Sequence, residues 1–245
     1  MDAQPDSPFP VTRWTAILKV QRQDTLSAAR ALEDLCGTYW YPLYAFARRL
    51  GFAPYDAQDL TQGFFSYVFE KDLFANADRE LGKLRTFLLT AFRRYASDVR
   101  DRERAQKRGG GQEILSLDVQ LGEENYLAEP ADPVTPERFF ERNWAMSVLR
   151  EAFRDLSQTE NAAGRGEQFN VIAQFISPDE GPSDSYAAVS AQLGLSEENV
   201  RQTVSRLRRR FRDSLRRHIA DTLNNPSEQQ IDDELMALKE ALREG

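Results

Sequence analysis

The segment RQTVSRLRRRFRDSLRR, residues 201 to 217, sets Arg201, Gln202, Ser205, Arg206 and Arg209 at short steps along the chain. On an α-helix this spacing gathers them on one side, together with Asn199 just before them, while Val200, Val204, Leu207, Phe211 and Leu215 take the other. Guanidinium and carboxamide groups bond in pairs to base edges in a major groove, and flanking arginines hold phosphates. A helical hairpin with a solvated basic face is the plain alternative.

A second basic segment, LRTFLLTAFRRYASDVRDRERAQKR at 84 to 108, interleaves Arg85, Arg93, Arg94, Arg100, Arg104, Lys107 and Arg108 with Phe87, Phe92 and Tyr95. Cations beside flat rings suit opened nucleic-acid strands, whose unstacked bases need a face and whose phosphates need charge. Leu84, Phe87, Leu88, Ala91, Tyr95 and Val99 also form one apolar stripe, with Arg93, Ser97 and Arg100 opposite, so core packing competes for the same aromatics. A third segment, YDAQDLTQGFFSYVFEK, turns Asp59, Gln62, Ser66 and Phe69 outward if Leu60, Phe64 and Val68 face the core, with Asp56 at its start. Acids beside an exposed aromatic make a protein-docking patch, against the ordinary reading of scattered surface acids.

Charge separates these segments from the rest. The formal net charge is -7, yet 83 to 108 carry an excess of six positive charges and 201 to 218 an excess of seven, which leaves the remainder at minus twenty. Two positive surfaces on a repelling body are expected to face an anionic polymer. Enzyme chemistry finds little support: there is no phosphate loop of the GxxxxGK type and no nucleophile elbow. With a single cysteine, Cys36, and a single histidine, His218, no disulfide and no cysteine and histidine zinc cluster can be assembled. No catalytic residue, metal site or cofactor is therefore expected. His218 reads as a helix C-terminal cation and Cys36 as a small apolar helix residue. No stretch approaches the roughly 20 apolar residues of a membrane span, and Met1 to Pro10 lacks the pattern of a signal peptide, so a cytoplasmic protein without membrane contact is expected.

The elements that must carry these residues read as helix almost throughout, an all-α fold of two helical domains joined by an acidic linker. The expected divisions are an N-terminal extension at 1–24, a first domain at 25–111, a linker at 112–136 without sustained periodicity, a second domain at 137–223 and an amphipathic tail at 224–245. Leu32, Leu35, Tyr39, Leu43, Phe46 and Leu50 mark a helix stopped by Gly51, Pro54 and Asp56 start the next, and Gly109 to Gly111 end the basic aromatic helix. In YAAVSAQLGLSEENVRQ, a short helix reaches Leu193, Gly194 turns the chain, and Ser196 caps a helix whose first turn holds Glu197 and Glu198. That is the grammar of a helix-turn-helix. The tail, with Ile231, Leu235, Leu238 and Leu242, is too short to stand alone and should dock on something.

In this order the segments resemble a bacterial RNA polymerase sigma factor of the extracytoplasmic-function branch, over most of 25 to 223. DAQDLTQGFF is similar to that family's region 2.2, which implies polymerase-clamp contacts at Asp56, Asp59, Leu60, Gln62 and Phe65. The segment at 84 to 108 resembles regions 2.3 and 2.4, implying minus-ten DNA contacts at Arg85, Arg93, Arg94, Ser97, Arg100, Arg104, Lys107 and Arg108. The segment at 186 to 211 resembles region 4, implying minus-thirty-five contacts at Asn199, Arg201, Gln202, Ser205, Arg206 and Arg209, and a touch on the polymerase flap. Gln58 stands where many members have glutamate, Phe87 at a frequent tryptophan, Arg94 at a frequent asparagine and Ser190 at a usual alanine. The resemblance implies core RNA polymerase and promoter DNA as partners, with an anti-sigma factor or a serine/threonine kinase as a further controlling partner. A stand-alone helix-turn-helix regulator is the rival reading.

Overall fold

The computed structural model describes residues 25–70, 83–106, 117–128, 135–179, 181–223 and 226–243. Among them are nine α-helices and one short 3-10 turn, with no strand. The helices are α1 (Thr25–Arg49), α2 (Pro54–Glu70), α3 (Leu84–Gln106), α4 (Leu117–Ala128), α5 (Pro136–Ala162), α6 (Gly166–Ile172), α7 (Tyr186–Leu193), α8 (Glu197–Asp221) and α9 (Glu228–Arg243). None of the described helices is long and apolar enough to cross a membrane.

The expected apolar spacing of α1 places Leu35, Tyr39, Leu43 and Phe46 in the core, and Tyr44, Ala45 and Ala47 are buried beside them. A helix covered on nearly all sides sits at the centre of its bundle. Phe92 of α3 meets Phe64 of α2 edge-on at 5.1 Å and Phe46 at 6.2 Å, and Phe140 of α5 closes on Phe46 at 6.4 Å. Edge-to-face rings of this kind add to plain burial and fix the helices' relative rotation. Where α2 crosses α3, Gly63 lies so close to Tyr95 that a Cβ there would stand 2.6 Å from the tyrosine hydroxyl.

The long helix α5 belongs to two cores. Phe140, Trp144, Val148 and Ala152 join the cluster built on α1, α2 and α3, which also takes in Leu215 and Ile219 of α8 and Ile231 and Leu238 of α9. Leu156 near its C-terminus enters a second cluster with Phe169, Ile172, Phe175, Val189, Val200, Val204 and Leu207. The boundary expected at 137 is thus no gap between packed units.

The segment expected as an acidic linker without sustained periodicity contains α4, and the contacts that hold it are identifiable. Glu123 accepts from Arg48 at 2.9 and 3.0 Å and from the Tyr44 hydroxyl at 2.7 Å, while Tyr126 lies under the Arg48 guanidinium. Partners 75 and 79 residues away supply what the local apolar pattern lacks. Burial, then the Glu123 carboxylate, push the Tyr44 hydroxyl pKa well above its ordinary value. The tail docks as expected, as α9, against α5 and α8.

Candidate nucleic-acid interface

Local rules build the α7–α8 hairpin. Ser185 Oγ accepts from the Ala188 N–H and Ser196 Oγ from the Asn199 N–H, both at 3.2 Å, so each helix opens on a side-chain cap. Gly194 ends α7 at φ 65° and ψ 28°, the left-handed conformation that glycine adopts without a Cβ penalty. Val200, Val204 and Leu207 are buried, and Arg201, Gln202, Ser205, Arg206 and Arg209 are exposed with Asn199, as the wheel requires.

The exposed side chains are braced. Glu197 accepts from Arg201 at 3.3 Å, and the Arg201 guanidinium lies 4.5 Å over the Tyr186 ring, itself stacked on Phe175 at 4.3 Å. Gln202 donates to Glu198 at 3.1 Å, and Arg206 to the Thr203 hydroxyl at 3.1 Å. Partners three or four residues apart hold long side chains upright, and exposed pairs of this kind contribute only a few tenths of a kcal/mol. Tyr186, Arg201, Ser205, Arg208, Arg209 and Arg212 line one groove along α8. Arg208, which also donates to the Phe175 carbonyl at 3.1 Å, was not among the expected site residues. Its place beside Arg209 in an arginine run was the available signal.

Around α3 the expected basic face divides. Arg94 and Ser97 are exposed, and Arg93 is exposed but pairs with Glu137 at 3.0 Å. Arg85, expected on the DNA side, is instead buried: it lies 4.4 Å over the Trp144 ring, donates to Glu141 at 2.6 Å and pairs with Glu234 of α9. Its position at the first turn of α3, where the Leu84 N–H meets the Thr222 carbonyl, drives it between α5 and α9. Arg100 is half-buried, donating to the Leu50 carbonyl at 2.6 Å above the Phe52 ring. Phe92 is core, and Phe87 and Tyr95 pack partly buried against it, so these rings chiefly hold the fold. Lys107, Arg108, Gly109 to Gly111 and the 1–24 extension lie outside the described residues, as do the Arg104 and Phe69 side chains.

On α2, Asp56, Asp59, Gln62 and Ser66 are exposed, as expected. Leu60 faces the core as the wheel requires, and it and Phe65, both implied as polymerase contacts, are 4% and 5% exposed because both point into the aromatic core. Thr61 is also buried, its hydroxyl donating to the Ala57 carbonyl at 2.7 Å. His218 sits in the last turn of α8, but buried, 2.7 Å from Asp155. Arg216, one of the arginines flanking the row on α8, pairs with Glu228 and Asp232 of α9. Among the described residues no cluster of His, Cys, Asp and Glu is arranged to hold a metal ion. No protein-family model, curated protein or solved structure matches this chain.

Proposed function

We propose that the protein is a promoter-specificity factor for RNA polymerase, a sigma factor of the extracytoplasmic-function kind working in the cytoplasm. In this reading α7 and α8 form a helix-turn-helix that reads duplex DNA upstream, α3 meets the opened strand, and the acidic face of α2 docks on the polymerase clamp. One observation carries it: the exposed row of Arg201, Gln202, Ser205, Arg206 and Arg209, with Arg201, Gln202 and Arg206 braced, on a capped helix entered through a glycine turn. Base-reading residues belong on such a helix because the scaffold, not the DNA, fixes their directions. The α2 face, with Asp59, Gln62 and Ser66 in the open, supports the polymerase part of the reading. No catalytic group, metal or cofactor enters it. Run-off transcription with core polymerase, with and without the protein, tests it directly: the expected result is promoter-dependent transcripts only when the protein is present.

A stand-alone helix-turn-helix regulator is favoured by one observation, the burial of Arg85 and the pairing of Arg93 and Arg100 within the chain. Such a protein binds its duplex tightly without polymerase, and run-off transcription then gains nothing from its addition.

A further inference from the structure

We propose that α9 is a self-inhibitory latch that occupies cations at one end of each basic segment and must lift before the chain engages nucleic acid fully. The inference rests on the nucleic-acid reading of α3 and α8. One helix grips both basic segments. Glu234 pairs with Lys83 at 2.5 Å and with Arg85 at the start of α3, and Glu228 and Asp232 take Arg216 of α8. Glu141 of α5 adds a second carboxylate to Arg85.

The latch is built to release. Of the described residues in α9 Ile231, Glu234 and Leu238 are buried and Leu235, Ala241 and Leu242 pack half-buried against the core, an apolar hold smaller than that of α1 or α5. Segments with few buried contacts open well below the free energy of global unfolding. Glu234, 1% exposed, gives up its hydration to sit against two cations, and burial together with Arg85 lowers the Lys83 pKa. A well-packed apolar side chain there would hold the helix as firmly or better, since desolvation offsets most of a buried pair's attraction. A carboxylate instead makes the seat conditional. An anionic polymer offers Lys83, Arg85 and Arg216 the same charge that α9 supplies, so it competes for those cations, and lifting α9 rehydrates Glu234.

The test uses the full chain and a short labelled DNA of mixed sequence, duplex or single-stranded. Binding is followed by anisotropy and the opening of α9 by hydrogen exchange of its amides. Glu234→Gln removes the buried charge, and Glu228→Gln with Asp232→Asn frees the other end without touching the core. Glu240→Gln, an exposed α9 acid with no ion pair among the described residues, controls for net charge. Removing the charge of the buried Glu234 carboxylate, and with it the ion pairs to Lys83 and Arg85, should speed α9 exchange and tighten DNA binding roughly tenfold, against about twofold or less for the control. If Glu234→Gln disturbs the circular-dichroism melt, the exposed pair of substitutions decides. Faster exchange with no gain over the control overturns the latch and leaves the nucleic-acid reading standing, provided Arg206→Ala still weakens binding. Unchanged exchange in both variants also overturns it. Absence of DNA binding in every variant overturns the reading and the latch together.

Discussion

The crossing of α2 over α3 can be tested by a pair of substitutions whose effects should reverse sign. Gly63 lies inside α2, where alanine would normally stabilise a helix by about 0.8 to 1 kcal/mol. Here a Cβ would stand 2.6 Å from the Tyr95 hydroxyl, and the ring cannot swing clear because it packs against Phe64 at 5.8 Å and Tyr67 at 5.2 Å. Overpacking of this kind costs about 1 to 3 kcal/mol, so Gly63→Ala alone should be neutral or destabilise by up to about 2 kcal/mol. The next ring atom is 3.6 Å from the same Cβ, an ordinary contact. In a Tyr95→Phe background the hydroxyl is gone, and Gly63→Ala should then stabilise by about 1 kcal/mol. The coupling between the two sites equals the relieved clash, about 1 to 3 kcal/mol. Urea denaturation of the four proteins measures it, with the m-value checked for constancy. Equal stabilisation by Gly63→Ala in both backgrounds would refute the packing argument and the placement of α2 against α3.

Alanine at Arg201, Gln202 or Arg206 should cost about 1 to 3 kcal/mol and relax preference at single base pairs in a binding-site selection. Arg212→Ala, in the α8 groove, should weaken all sequences alike and flatten the salt dependence by about 0.9 in the log–log slope. Asp59→Arg with Gln62→Ala should abolish co-purification with core polymerase while shifting stability by within about 0.5 kcal/mol, both side chains being exposed. Ser196→Ala removes the cap on α8 and should lower stability by about 1 kcal/mol in thermal unfolding. Burial pushes the Cys36 thiol up to about 11, so alkylation should stay slow at pH 9 and rise with a midpoint near that value; a midpoint at or below 9 would contradict its packing.

What the sequence made legible was local. Ser196, Gly194 and the stripe from Val200 to Leu215 determine a hairpin through interactions within a few residues, and the exposed row on α8 follows from the same arithmetic. Phe64 was readable as core from its stripe with Leu60 and Val68, whereas Phe92, outside the stripe named for α3, is buried just as fully. The misreadings share a distant partner. Arg85 looks like a surface cation until Glu141 and Glu234, 56 and 149 residues further on, fold over it. The α4 segment lacks a pattern of its own and is held by Arg48 and Tyr44. Phe65 lies beside the Phe64 stripe, and its burial follows from the multi-helix cluster it joins and not from the pattern of α2 alone.

The unbroken helix α5 is an axle common to both cores. Its 27 residues span about 40 Å at 1.5 Å each, with one core mounted toward each end. Along such an axle distance and azimuth cannot be changed separately: one inserted residue between Ala152 and Leu156 turns the second core by about 100° relative to the first. Seven inserted residues advance it by about 10 Å and return it to within about 20° of its original heading. Because α8 also enters both cores, with Leu215 and Ile219 in one and Val200, Val204 and Leu207 in the other, an insertion in α5 should be tolerated only near a whole heptad and only with a matching insertion in α8.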